Sequence, residues 1–224
     1  MGYYINLENI SIDQYKEILK GADLLPSRMI LKNNIDEKFA ALKKIQIENV
    51  EVLRKTLSNK SKLQAISKQT GIAEDYLKIL IREVRSYRQK PNRIQDFPGV
   101  SKHVIRELDK LGMHNTFELF DYVLTPESRS AISKQTGISE SEIHRLAQLT
   151  DLSRIRWVNH TFAYVLLEAG FDSSEKVAGA DYKDLYERVI RLNEEREIYK
   201  GHIGLHDMKL CVEAAKDVSL DFEY

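Results

Sequence analysis

Cysteine, proline and tryptophan are nearly missing from this chain, and each scarcity excludes a class of structure. A single cysteine, Cys211, rules out an internal disulfide framework and fits a reducing compartment. Four prolines in 224 residues leave long stretches in which a helix can run unbroken. Alternating β-branched patterns are almost absent, so the fold is expected to be all-α. No apolar run approaches the ~20 residues needed to span a bilayer. Met1-Gly2-Tyr3-Tyr4-Ile5-Asn6 lacks the basic and apolar regions of a signal peptide, which predicts a cytoplasmic protein with no membrane contact.

Net charge is also absent, with 34 basic and 34 acidic residues, but the balance is not local. Residues 24–91 carry 15 Lys and Arg against 7 Asp and Glu, whereas residues 151–224 carry 10 against 15. A basic first part and an acidic last part bear on partners and association rather than on fold.

What the chain does contain is repetition. Ala65-Ile66-Ser67-Lys68-Gln69-Thr70-Gly71-Ile72 recurs letter for letter at Ala131 to Ile138, and a worn third copy is expected at Gly204-Leu205. An apolar residue sits six places after each glycine, at Leu77, Ile143 and Leu210. Aligning on these octapeptides brings Gln46 opposite Gly112 and Gly170, each following an apolar three-four rhythm and preceding a short polar residue placed to cap a new helix. The expected architecture is tandem helical repeats in three related units. An N-terminal helix segment occupies 1–23, a basic unit 24–91, a second unit 92–150 and an acidic third unit 151–224. Ser11 is expected to cap the first helix, and Pro91 to break a long helix that begins near Glu74.

The second unit opens with Ile94-Gln95-Asp96-Phe97-Pro98-Gly99-Val100-Ser101-Lys102-His103-Val104-Ile105, which resembles the helix-hairpin-helix motif over about 20 residues. The second hairpin glycine of the usual pattern is Ser101 here. The equivalent loops, Asn33-Asn34-Ile35 and Arg156-Trp157-Val158, have no glycine. Taken whole, the chain looks like a bacterial domain-of-unknown-function family built of degenerate helix-hairpin-helix repeats. That likeness implies a helical fold and supplies no established activity.

Two features could hold a nucleic acid. Helix-hairpin-helix loops bind backbones without reading sequence, so Gly99, Val100, Ser101, Lys102 and His103 are candidate phosphate contacts. On a helical wheel Lys78, Arg82, Arg85 and Gln89 share one arc, opposite Tyr76, Leu77, Leu80, Ile81, Val84 and Tyr87, and Arg88 adds charge near the end. Such a stripe can neutralise phosphates or be an ordinary solvated face. Trp157 is read as a plug in the third unit's core. Gly201 and Gly204 break the helix that would bring His202 and His206 together, and His206 and Cys211 are read as drifted surface positions, so no metal and no cofactor are expected. No nucleophile and base stand at a recognisable spacing, so the protein is expected not to be an enzyme. The expected function is sequence-independent binding of a DNA or RNA backbone. The alternative is a protein-interaction scaffold that uses the oppositely charged first and third units.

Overall fold

The computed structural model describes residues 2–88 and 90–224. Among them every regular element is helical, as the scarcity of strand patterns predicts. No helix among them is long and apolar enough to cross a membrane. The chain divides into two compact units, Ile5–Arg88 and Met1–Tyr4 with Gln89–Tyr224.

The Ile5–Arg88 unit contains α1 (Ile12–Gly21), α2 (Ile35–Lys44), α3 (Val50–Leu57), α4 (Lys60–Thr70) and α5 (Glu74–Ser86). Ser11 caps α1 through a capping box with Gln14, accepting the Gln14 N–H at 3.1 Å while Gln14 accepts the Ser11 N–H at 2.8 Å. A 3₁₀ turn over Pro26–Lys32 precedes α2. One core cluster runs from Leu7 to Tyr87 and takes the apolar face of α5: Tyr76, Leu77, Leu80, Ile81 and Val84. The end of α5 differs from expectation. It stops at Ser86 rather than near Pro91, closed by a tight bond from the Tyr87 N–H to the Val84 carbonyl at 3.2 Å.

The larger unit holds α6 (Lys102–Asp109), α7 (Thr116–Leu119), α8 (Pro126–Thr136), α9 (Glu140–Leu152), α10 (His160–Glu168), α11 (Ser174–Ala178), α12 (Tyr182–Arg196) and α13 (Leu205–Ala215). Its core forms two clusters. One gathers residues from Ile94 to Ala147, and the other joins Phe97 to Leu149 through Val218. Leu149 to Arg156 form an unbroken buried run, so the end of α9 and the segment after it thread the interior.

The aligned turns adopt matching geometry. Gln46, Gly112 and Gly170 are all left-handed, at φ of 64°, 74° and 90°. In each, the next N–H reaches five residues back: Ile47 to the Leu42 carbonyl at 3.2 Å, Met113 to Leu108 at 3.0 Å, Phe171 to Leu166 at 2.9 Å. With the companion bonds from Gln46, Gly112 and Gly170 themselves, these are three Schellman closures. Asn49, Asn115 and Ser173 then cap α3, α7 and α11. Asn34, Gly99 and Trp157, which lead toward α2, α6 and α10, are likewise left-handed, at 48°, 80° and 68°.

The two octapeptides also fold alike. Gly71 and Gly137 lie at φ of 73° and 71°. The Ser67 and Ser133 hydroxyls donate to the carbonyls of Ile72 and Ile138 at 2.7 and 2.6 Å. Those of Thr70 and Thr136 donate to Ile66 and Ile132, both at 2.7 Å. The expected third copy does not share this turn. Gly204 lies at φ −103° and starts α13 rather than closing α12, which ends at left-handed Glu197. The positions matching Ser67 and Thr70 are Lys200 and Ile203, which carry no hydroxyl to make these bonds.

A buried ionic cluster ties the larger unit together. Arg154 donates through Nη1 to Asp151 at 3.2 Å and through Nη2 to Ser219 Oγ at 2.6 Å and Asp221 at 2.8 Å. Its Nε reaches the Tyr3 carbonyl at 3.4 Å, and its guanidinium lies over the rings of Phe120 and Phe222. Asp151 also accepts the Ser174 N–H at 2.8 Å and hydroxyl at 2.9 Å, and the Tyr224 hydroxyl at 3.1 Å. Burial pushes the Asp151 carboxyl up from its ordinary value, against the pull of Ser174 and Arg154.

Removing Arg154 strands two buried carboxylates, so Arg154→Ala is expected to lower stability by ~3–5 kcal/mol in chemical denaturation. The Schellman positions give an opposed pair. A Cβ at Gly112 meets no atom within 4 Å, so Gly112→Ala carries a backbone cost alone, about 1 kcal/mol. Gln46→Gly removes that strain and is expected to leave the melting temperature unchanged or higher. A Gln46→Gly variant that melts well below the parent chain would contradict this account.

Candidate nucleic-acid interface

The hairpin before α6 is built on two apolar anchors. Phe97 is buried, and Val100 packs against both core clusters of its unit. Between them Gly99 turns left-handed at φ 80°, a conformation glycine adopts without steric cost. The Val100 N–H closes back on the Phe97 carbonyl at 3.4 Å. Ser101 caps α6, its Oγ accepting the Val104 N–H at 3.2 Å. Among the described residues the N–H groups of Ser101, Lys102 and His103 meet no acceptor, and all three side chains are exposed. That arrangement aims donors and the positive end of a helix dipole outward, as phosphate recognition requires.

The charge on α6 is partly committed. Glu107 holds Lys110 at 2.5 Å and lies 3.4 Å from Arg106 and 3.9 Å from His103. The Lys110 hydrogen bond, with smaller help from Arg106 and His103, keeps its carboxyl below the ordinary range. Lys102 has no ion-pair partner among the described residues.

The hairpin has neighbours that the motif does not announce. A Cβ built on Gly99 would stand 3.7 Å from the Tyr164 ring of α10. The Arg145 guanidinium lies 5.2 Å from that ring's centre. Arg145 shares Glu168 with Arg196 at 2.5 and 2.6 Å, two guanidiniums on one carboxylate. Arg145 lies on α9 and Tyr164 on α10, both outside the hairpin segment, so spacing alone gives no signal for either.

The second candidate lies on α5, in the Ile5–Arg88 unit. Lys78, Arg82 and Arg85 are exposed and form the expected stripe, while Gln89 falls outside the described residues. Lys78 is bound to Asp75 at 2.9 Å and stands 3.8 Å from Glu74. Arg85 reaches the Ser58 carbonyl at 3.5 Å. Arg88 lies past the end of α5 and faces Glu51 at 3.5 Å. Neither Arg82 nor Arg85 has an ion-pair partner among the described residues, unlike Lys78 and Arg88.

Two sequence readings are corrected here. Trp157 is 41% exposed and so is not a core plug, because its left-handed backbone turns the indole away from the interior. Cys211 is buried rather than a surface position, since α13 presents that side to the core, and burial pushes its thiol up to about 12. No group of three or more His, Cys, Asp or Glu among the described residues could hold a metal ion.

The sequence model of the family described as Domain of unknown function (DUF4332) matches residues 98–218, just over half of the chain. The chain belongs to this family. The DUF4332 match opens on the Pro98-Gly99 hairpin and includes Arg145, Trp157 and Tyr164, but excludes the α5 stripe. Neither the curated proteins nor the solved structures contain a match to this chain.

Charge in the Ile5–Arg88 unit has a checkable consequence. Buried Glu51 accepts two bonds from Arg54, both at 2.7 Å, and faces Lys55 at 3.4 Å. The Arg54 hydrogen bonds pull its carboxyl from an ordinary 4.5 to about 2. Because the folded value is the lower one, the ionised carboxylate stabilises the fold at pH above about 4.5, and that contribution disappears as pH falls toward 2. Acid titration of stability is expected to steepen across that window. Glu51→Gln should flatten it, and an unchanged profile would remove Glu51 as the cause.

Proposed function

We propose that the protein is a non-enzymatic, degenerate helix-hairpin-helix repeat protein whose Gly99 hairpin binds a DNA or RNA backbone without sequence preference. The supporting observation is the glycine hairpin itself. A left-handed Gly99 leads into a capped helix whose first N–H groups point outward beside exposed Lys102 and His103. A phosphate there would accept from Ser101, Lys102 and His103, with Val100 anchoring the loop. The matching left-handed positions at Asn34, Gly99 and Trp157, with their Schellman partners, support the repeat reading. Contacts of this class position a backbone and read no bases. Lys78, Arg82, Arg85 and Arg88 form an accessory basic surface, weakened where carboxylates already hold Lys78 and Arg88.

Charge segregation between residues 24–91 and 151–224 favours a second reading, head-to-tail association of oppositely charged ends. The two separate by salt and by partner. Fluorescence anisotropy with labelled duplex and single-stranded oligonucleotides at low salt is expected to show binding that falls steeply as salt rises. Lys102→Glu should weaken it about ten-fold and reduce the salt slope by about one. No binding at tens of micromolar protein rejects the nucleic-acid reading. Light scattering that shows salt-sensitive self-association without oligonucleotide binding favours the scaffold.

A further inference from the structure

We infer that Trp157 is a stacking platform for an unpaired base, which makes the ligand of the Gly99 hairpin a single strand rather than a duplex. The inference rests on the hairpin reading above and adds to it the class of nucleic acid. Trp157 is the only tryptophan in the chain. It occupies, at φ 68°, the loop position that Gly99 fills in the equivalent turn. A bulky residue held left-handed is strained, and an indole 41% exposed gives up much of the burial that usually retains tryptophan. Strain of this kind in an exposed loop points to a use for the side chain.

The ring is also braced. The guanidinium of Arg156, a buried residue, sits 4.1 Å from the indole centre. Buried Val158 fixes the backbone on the other side, its carbonyl accepting from Asn92 Nδ2 at 3.4 Å. A cation behind an aromatic face orders the ring before anything binds.

Position completes the case. Phe97, just before Gly99, meets the His160 ring edge-on at 6.4 Å. Gly99 itself stands against Tyr164. Both partners lie on α10, the helix that Trp157 leads into. The phosphate-directed hairpin therefore packs on the first half of α10, the helix whose N-terminus Trp157 precedes by three residues. Bases inside a duplex are stacked and out of reach of such a ring, whereas a single strand offers them beside its phosphates.

The single tryptophan is its own reporter. The full chain is titrated at low salt with an oligothymidylate of about 12 nucleotides and with a duplex of the same length, following anisotropy and tryptophan emission together. The expected result is saturable quenching by the single strand at the anisotropy midpoint. Trp157→Gly, which relieves the left-handed backbone and should melt no lower than the parent, is expected to weaken single-strand binding about ten-fold. Trp157→Phe, which keeps a ring, should lose less. Single-strand binding without an emission change, Trp157→Gly binding equal to the parent, or a duplex that binds tighter than the single strand overturns the inference and leaves the hairpin reading standing. Failure of both oligonucleotides to bind removes the two together.

Discussion

The larger unit is organised by one guanidinium. Arg154 has carboxylates on two sides, Asp151 from α9 and Asp221 from the C-terminal segment, and it reaches the Tyr3 carbonyl as well. The stretch carrying it is buried from Leu149 to Arg156, so these charges have no recourse to water and depend on one another. Geometry follows from that dependence. Asp151 can satisfy Arg154 only while it also caps the start of α11 through Ser174, and Tyr224 reaches the same carboxylate. A polar core of this sort specifies one arrangement where apolar packing alone would tolerate several.

Much of the local fold was legible. Repetition located the turns at Gly71 and Gly137, because serine, threonine and glycine at fixed offsets make the same bonds wherever they occur. The alignment also found Gln46 as the counterpart of Gly112 and Gly170, although nothing in a glutamine advertises a left-handed backbone. It failed at Gly204, where the glycine survives without the hydroxyls that give the turn its shape. A single shared residue type is a poor marker; the bonded set is the unit of recognition.

The candidate site was legible only along the chain. Gly99 to His103 could be read as a phosphate-binding hairpin because motif and capping are local. Arg145 and Tyr164 arrive beside it through packing of α9 and α10, which no spacing rule expresses. Trp157 was misplaced for a related reason. Hydrophobicity argued for burial, while the loop conformation, set by its neighbours, turned the indole outward. The α5 stripe is exposed as a face, yet its effective charge is reduced by carboxylates of the same helix, Glu74 and Asp75 beside Lys78, and past its end by Glu51 of α3 facing Arg88.

The twin octapeptides carry a consequence for engineering. Gly71 closes a helix over one core cluster and Gly137 over another, with different neighbours, yet the angles and hydroxyl bonds agree. A shape that survives a change of surroundings is written in its own eight residues. The segment is therefore portable, a ready-made corner piece for joining two helices in an unrelated scaffold.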